Sequence, residues 1–440
     1  MFGTSGVRGR FGDTITPEFA TALGHALAAC DYDRIVIGRD ARTTSPLLAD
    51  AVSSALRGAG TDVICAGRVA TPTLARGVSL TDADAGVMIT ASHNPPADNG
   101  FKLWSPSGQA FNEAQRDAIE RALAAGDAVS VSWDAVGHET TSPDLTESHV
   151  SELSDAVDID GDVSVVVDIG NGMGGATVDA LLEMGCDVQT LNATPDGRFP
   201  GRPSEPTAET CITLCSVVEA TDADLGIAHD GDADRMMAVD ETGSFVEGDE
   251  LLALFGRDVV SAGECVAAPL NTSLLVDDVL AAQDASLTRT KVGDVFVAER
   301  TQAGDVVFGG EPSGAWIWPD ETLCPDGPLA ACKLVELVEQ RGSLATQRSE
   351  LASYPLRRTS LEVDNKRDIM EAVRSSLLEQ YDTTAVSTLD GVRVEHDNGW
   401  FLVRASGTQP LIRLTAEARS AAQADALLET ARGAVEETGI

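Results

Sequence analysis

Asp230, Asp232 and Asp234 alternate within the stretch ADLGIAHDGDADRMMAVD. In an extended loop, alternate carboxylates converge on one hard divalent cation through oxygen ligands. Arg235 follows at once, so metal and phosphate chemistry are both indicated. An EF-hand is excluded, because Arg235 occupies the sixth loop position where glycine is needed and the flanks read as strands. A second stretch, ITASHNPPADNGFK, closes an apolar strand on Ser92, continues through His93 and two prolines, and reaches Lys102, one of four lysines in the chain. Ser92 thus stands at the strand edge where open α/β sheets place ligands. Adjacent Ser92 and His93 do not form a nucleophile–base relay unaided, and no G-x-S-x-G surrounds the serine. What remains is a rigidly presented hydroxyl with Lys102 as a cation or proton donor, its pKa expected to be lowered by burial and nearby cations. In VVFGGEPSGAWIWPD, Glu311 and Ser313 offer an acceptor and a donor suited to sugar hydroxyls, while Trp316 and Trp318 are accounted for equally well as core cover. In LVRASGTQPLIRL, Ser406, Gly407 and Thr408 can bend N–H groups and hydroxyls around an anion, with Arg404 and Arg413 adding planar forks.

The elements that must position these loops alternate short Val/Ile-rich runs with Ala/Leu-rich amphipathic ones. DRIVIGRD is a strand; SPLLADAVSSALRGAG is a helix with Ser45 as N-cap, Pro46 at its first position and a glycine stop. TDVICAG and the run into ITASHN are further strands, and the rhythm implies parallel strands with helices on both faces. It restarts at DVSVVVDIGNGMGGATVDALLEMGCDVQTL and again near ECVAAPLNTS. After Tyr354 the pattern changes to a helix, NKRDIMEAVRSSLLEQY, a turn-linked pair of strands in GVRVEHDNGWFLVRAS and a last Ala-rich helix. The fold class expected is therefore α/β: three similar units with mostly parallel sheets and a smaller C-terminal α+β unit, with boundaries at residues 1–145, 146–247, 248–352 and 353–440. Gly170, Gly172 and Gly175 satisfy G-x-G-x-x-G, but the next strand ends on Leu191 and Asn192 without a ribose-binding acid, so tight helix–strand packing explains them better than a dinucleotide.

Over 440 residues there are 70 acidic against 31 basic side chains, a formal charge of −39. Nucleic acid and anionic membranes are repelled by such a surface. An even excess of acid with lysine nearly absent reads as a halophilic protein, whose self-repulsion a high-salt cytoplasm screens. The eight cysteines contain no C-x-x-C, and the pair Cys211 and Cys215 reads as apolar thiols of a reducing compartment. No apolar signal region or span of about 20 residues is present, so a cytoplasmic location is expected.

Taken in order, FGTSGVRG (2–9), TASHNP (90–95), NGFK (99–102), DGDADR (230–235), GEPSG (310–314) and RASGTQP (404–410) resemble the signatures of the α-D-phosphohexomutase family, most closely its archaeal phosphoglucosamine mutases. The resemblance implies four domains around one central cleft, with Ser92 as phosphoserine. It implies Mg²⁺ held by Asp230, Asp232, Asp234 and an oxygen of the Ser92 phosphate. Arg8, Lys102, His93 and Arg235 would lie at the reacting phosphoryl. Glu311 and Ser313 would read sugar hydroxyls, Lys291 and Asp294 would contact substrate, and Arg404, Ser406, Gly407, Thr408 and Arg413 would hold the non-reacting phosphate. Gln409 stands where relatives commonly carry Glu. The expected reaction moves a phosphoryl group between O6 and O1 of a hexose through a hexose 1,6-bisphosphate, with glucosamine 6-phosphate preferred and glucose or mannose phosphates as alternatives. A metal-dependent sugar phosphatase is the reading from a different class. The expected partner is a small phosphosugar, and the expected assembly a monomer or homodimer.

Overall fold

The computed structural model describes residues 3, 6–126, 128–142, 144–406 and 410–437. The first unit contains β1 (Val7–Arg10), α1 (Pro17–Ala28), β2 (Arg34–Arg39), α2 (Ser45–Gly58), β3 (Asp62–Arg68), α3 (Thr71–Leu80), β4 (Ala85–Ile89), β5 (Asp98–Trp104), α4 (Glu113–Ala125) and β6 (Glu139–Thr141). Its sheet runs β1-β5-β4-β2-β3-β6. Strands β4, β2, β3 and β6 are parallel, whereas β5 returns antiparallel beside β4, which places Lys102 opposite Met88. Because β2 and β4 are covered on both faces, they read as unbroken apolar runs.

The second unit comprises α5 (Leu145–Asp155), β7 (Ser164–Asp168), α6 (Gly175–Glu183), β8 (Asp187–Leu191), α7 (Ile212–Thr221), β9 (Leu225–His229), β10 (Met236–Asp240) and β11 (Phe245–Val246), with sheet order β11-β10-β9-β7-β8. The three-aspartate loop is the turn between antiparallel β9 and β10, so strands flank it, as the exclusion of an EF-hand required. The third has α8 (Gly248–Val259), β12 (Cys265–Pro269), α9 (Leu274–Ala281), β13 (Ser286–Thr290), α10 (Asp294–Thr301), β14 (Val306–Glu311), β15 (Ala315–Ile317), α11 (Gly327–Arg341) and α12 (Leu344–Ser349), with order β13-β12-β14-β15. Each of these three sheets has a run of parallel strands (β4-β2-β3-β6, β9-β7-β8 and β13-β12-β14) extended on one side by antiparallel pairing. The fourth unit is β16 (Leu356–Glu362), α13 (Lys366–Gln380), β17 (Val386–Ser387), β18 (Val392–His396), β19 (Gly399–Ala405), β20 (Leu411–Ala418) and α14 (Ala421–Glu436), an antiparallel sheet in the order β16-β20-β19-β18-β17.

Two details differ from the sequence reading, and a third decides between its alternatives in favour of core cover. Thr44, not Ser45, precedes α2, and it makes no side-chain cap bond; the Ser45 hydroxyl instead donates to Asp40 Oδ1 at 2.8 Å. Of the three motif glycines, Gly172 serves close approach of another loop, because a Cβ there would lie 2.7 Å from the Gly231 carbonyl, whereas one on Gly175 would meet nothing. Trp316 and Trp318 belong to the core, packed edge-on against Phe255.

One hydrophobic core runs continuously through the second and third units, while the first and fourth have cores of their own. Buried polar contacts tie the rest. Arg76 and His149 both bond Asp326 Oδ2, at 2.9 and 3.1 Å, joining the first three units. Glu417 accepts from Ser273 Oγ at 2.6 Å and from Leu274 N at 2.7 Å, so a fourth-unit carboxylate caps α9 of the third.

Candidate active site

The Ser92 turn follows β4, and Ser92 itself takes φ 51°, a left-handed conformation that a non-glycine residue holds only under local constraint. Its amide donates to Thr90 Oγ1 at 2.8 Å, and its hydroxyl donates to Asp230 Oδ2 at 2.7 Å. The first and second units therefore meet at the two residues singled out in their loops. Close approach is possible because Gly231 has no side chain: a Cβ there would sit 2.7 Å from the Ser92 carbonyl oxygen.

Asp230, Asp232 and Asp234 offer ligand atoms within 4.8 Å of one another, all buried. Lys102 Nζ donates to Asp232 Oδ2 at 2.7 Å and also to Asp234 Oδ2. Thr71 Oγ1, at the start of α3, donates to Asp232 Oδ2 at 2.5 Å. Burial, then Asp232 and Asp234, push Asp230 well above the usual carboxylate range, and burial and Asp232 raise Asp234. Burial would raise Asp232 too, but Lys102 and the Thr71 hydroxyl outweigh it and hold Asp232 low. The Oδ1 atoms of Asp232 and Asp234 are buried without a hydrogen-bond partner. A convergent set of hard oxygens, short of positive charge, fits Mg²⁺.

Lys102 departs from the expectation of a lowered pKa. Burial does disfavour the ammonium, but Asp232 and Asp234 more than offset it and hold the group above its ordinary value. Its position in this structure is that of a fixed counter-charge. His93 Nδ1 lies 3.3 Å from Ser92 Oγ; burial, then Arg235, Arg8 and Lys102, drives its pKa down to about 2, so the ring is neutral. Arg8, on β1 opposite Gly100, adds positive potential to Lys102 and Asp232.

Arg235 leads from the second unit to the third. Its backbone bridges Ala315, and its guanidinium favours the charged forms of both Asp234 and Glu311. Glu311, at the end of β14, accepts from Gly293 N at 2.7 Å and from Ser313 Oγ at 3.3 Å. Burial first, then Asp294, raise its pKa to about 7. Lys291 is exposed, its ammonium 5.1 Å from the centre of the Phe296 ring. The chain of contacts then reaches the fourth unit: Val292 N donates to Asp390 Oδ2 at 3.3 Å, and the same oxygen lies 2.9 Å from Arg404 Nε. Arg404 and Arg413 stand directly opposite each other on β19 and β20. Like charges across a pair of strands destabilise it, so this pair favours an anion between them. Ser406 is buried, and Lys366 Nζ donates to its carbonyl at 2.6 Å. Gly407 and Thr408 lie outside the described residues.

Several supporting residues escaped the sequence reading: Thr71; Asp40 and Arg42 behind the serine turn; and Arg202 and His229 behind the aspartate turn. His229 Nδ1 donates to the Arg235 carbonyl at 2.9 Å, and its Nε2 accepts from the Thr177 hydroxyl at 2.8 Å. Burial lowers its pKa to about 4, in keeping with a neutral ring. Only GRDAR at the end of β2 offered a signal, a charged cluster closing an apolar strand.

Comparison with known proteins agrees across the chain. The phosphoglucomutase/phosphomannomutase family matches as alpha/beta/alpha domain I at residues 1–130, domain II at 147–243, domain III at 247–354 and the C-terminal domain at 359–434. A probable phosphoglucosamine mutase of Methanopyrus kandleri is 45% identical over 451 aligned positions, covering 99% of this chain and 98% of that protein. Among solved structures, a phosphoglucomutase/phosphomannomutase family protein from Burkholderia thailandensis superposes with TM-score 0.88 at 25% identity, covering 99% of this chain and 98% of its own. A putative phosphomannomutase from Thermus thermophilus gives 0.80 at 27% identity, covering 99% of both chains. With all four domains matched in order, the chain belongs to the phosphoglucomutase/phosphomannomutase family.

Proposed function

We propose that this protein is a phosphohexomutase that interconverts glucosamine 6-phosphate and glucosamine 1-phosphate, with Ser92 as the phosphoryl carrier. The observation that carries the reading is the 2.7 Å contact between the Ser92 hydroxyl and Asp230 of the three-aspartate cluster, with Lys102 beside it. Phosphoryl transfer depends on in-line placement and charge neutralisation more than on covalent participation by many groups. A buried serine, three carboxylates and clustered cations meet that requirement.

In the forward direction the free hydroxyl oxygen of the bound hexose monophosphate forms a bond to phosphorus as the bond from phosphorus to Ser92 Oγ breaks; the proton lost by the sugar hydroxyl is balanced by one gained at Ser92 Oγ, and the return transfer reverses that exchange. The resulting 1,6-bisphosphate turns end for end, and its other phosphoryl group passes to Ser92 Oγ. When bound by Asp230, Asp232 and Asp234, Mg²⁺ supplies positive charge to the phosphoryl oxygens. Lys102 and Arg8 add fixed positive charge at the same point. Arg404, Ser406 and Arg413 hold whichever phosphate is distal, and Glu311 with Ser313 accepts and donates to ring hydroxyls in both orientations. The cationic groups also admit a dianion to a chain of charge −39.

The preference for glucosamine rests on relatives such as those of Methanopyrus kandleri and Methanosarcina acetivorans, each a probable phosphoglucosamine mutase. Turnover of glucosamine, glucose and mannose 6-phosphates by one preparation tests it. The expected result is the highest kcat/KM with glucosamine 6-phosphate; a clear preference for either other sugar would reverse the assignment.

A further inference from the structure

Asp40 and Arg42 lie behind the serine turn and contact no part of the three-aspartate cluster through any hydrogen bond described above, yet both side chains are fully buried. A buried ion pair is a poor means of gaining stability, because desolvation takes back most of the attraction. What this pair holds is more specific. Arg42 Nε bonds Asp40 Oδ2 at 3.1 Å. Its Nη1 donates to the carbonyls of Pro95 and Asp98 at 2.7 and 2.9 Å, and its Nη2 to those of Ser92 and Asn94, both at 2.7 Å. All five donors of the guanidinium fork are used, four of them on one loop.

Asp40 in turn accepts from the Arg42 amide at 2.9 Å, from Ser45 Oγ at 2.8 Å and from Thr90 Oγ1 at 2.7 Å. Thr90 Oγ1 then accepts the Ser92 amide. The Ser92 residue is thereby gripped at its N–H through Thr90 and at its C=O by Arg42, with Ser204 Oγ adding a second donor to the carbonyl at 2.9 Å. Both grips fix the left-handed backbone that aims Oγ at Asp230. From the second unit, Phe199 covers the guanidinium at 5.0 Å.

The second unit repeats the device. Asp168 closes β7 as Asp40 follows β2, and it accepts Arg202 Nε at 2.7 Å. Arg202 Nη2 donates to the carbonyl of His229, the residue before Asp230, at 2.6 Å. In both sheets the Asp-bearing strand neighbours the strand that launches the functional turn.

We infer that Asp40, Arg42 and Thr90 are positioning residues that hold the Ser92 hydroxyl in its transfer geometry by fixing the peptide units on either side of it. This rests on Ser92 being the phosphoryl carrier. The test compares T90V, which keeps nearly the same shape, R42K, which keeps the charge but not the fork, and S92A. Each variant is assayed with Mg²⁺, hexose 1,6-bisphosphate and glucosamine 6-phosphate, and the rate of Ser92 phosphorylation by the bisphosphate is followed by intact mass.

A misplaced reacting atom costs roughly hundredfold in rate. R42K should therefore lose about that factor in kcat and T90V about tenfold, with KM within about twofold and the phosphorylation rate falling in proportion. A purely structural role would shift the melting temperature and leave kcat per folded molecule unchanged. A T90V enzyme with wild-type kcat and phosphorylation rate, or a change in KM alone, overturns the inference, and T90V decides by itself if R42K does not fold. Activity retained by S92A would remove the carrier reading instead, whereas an inactive S92A beside a wild-type T90V removes only the positioning role.

Discussion

The two ends of the proposed substrate site are built differently. At the reacting end, Ser92, Lys102 and the three aspartates are each at most 5% exposed, and hydrogen bonds donated by Thr71 and Arg42 and accepted by Thr90 leave the turns little freedom. At the distal end the Arg404 side chain is 30% exposed and Arg413 is exposed, joined to the third unit through Asp390 and Val292. The difference follows from the task. A phosphoryl group in flight needs preset geometry and charge, whereas a clamp that must accept either of two phosphates and release both gains from solvent access. Glu311 lies between, buried but near its titration point.

Substitutions along this line should show effects that shrink from the reacting end to the distal end. Ser92→Ala should lower kcat by at least about a thousandfold, as loss of a covalent carrier does, measured by coupled assay. Asp232→Asn should lower kcat by about a hundredfold and weaken Mg²⁺ binding in calorimetry; equal Mg²⁺ affinity in the variant would break the comparison at its tightest point.

Glu311 connects the two ends and supplies a stability signal. Its folded pKa, about 7, exceeds the ordinary 4.5, so the folded state holds the proton more tightly than the unfolded chain. Its contribution to stability is therefore present below about pH 4.5 and lost as pH rises through 7, by up to about 3 kcal/mol. Urea denaturation across that window should show the decline in the wild type and a flatter profile in Glu311→Gln. At the distal end, Arg404→Ala should raise KM by about thirtyfold with a smaller change in kcat, the mark of lost ground-state phosphate binding. A larger loss in kcat than in KM would mean that the clamp is as preset as the serine turn.

The loops were legible because chemistry-bearing residues interrupt apolar strands. Ser92 ends the run GVMIT, and the aspartates break LGIA from MMAV, so residue type and position coincide. Partners were less legible. Lys102 finds Asp232 130 positions further along the chain, and no local pattern announces that pairing; its environment, and so the direction of its pKa shift, depended on it. Arg42 was hidden for another reason: its partners are mostly backbone carbonyls, which every sequence supplies. In the fourth unit the turn-linked pair β18 and β19 stood out. Strands β16 and β20 did not, because LRRTSLE and LIRLTAEA mix exposed charged and polar positions with apolar ones at a sheet that is only partly covered.

The central claim is that the Ser92 hydroxyl carries the transferred group, and the most direct measurement follows that group. Dephosphorylated protein is mixed with Mg²⁺ and hexose 1,6-bisphosphate, then with excess hexose 6-phosphate, and the peptide containing Ser92 is analysed by mass spectrometry over time. One phosphoryl group should appear on Ser92 and leave again at a rate no slower than kcat. Sustained turnover with Ser92 unmodified throughout would contradict the account.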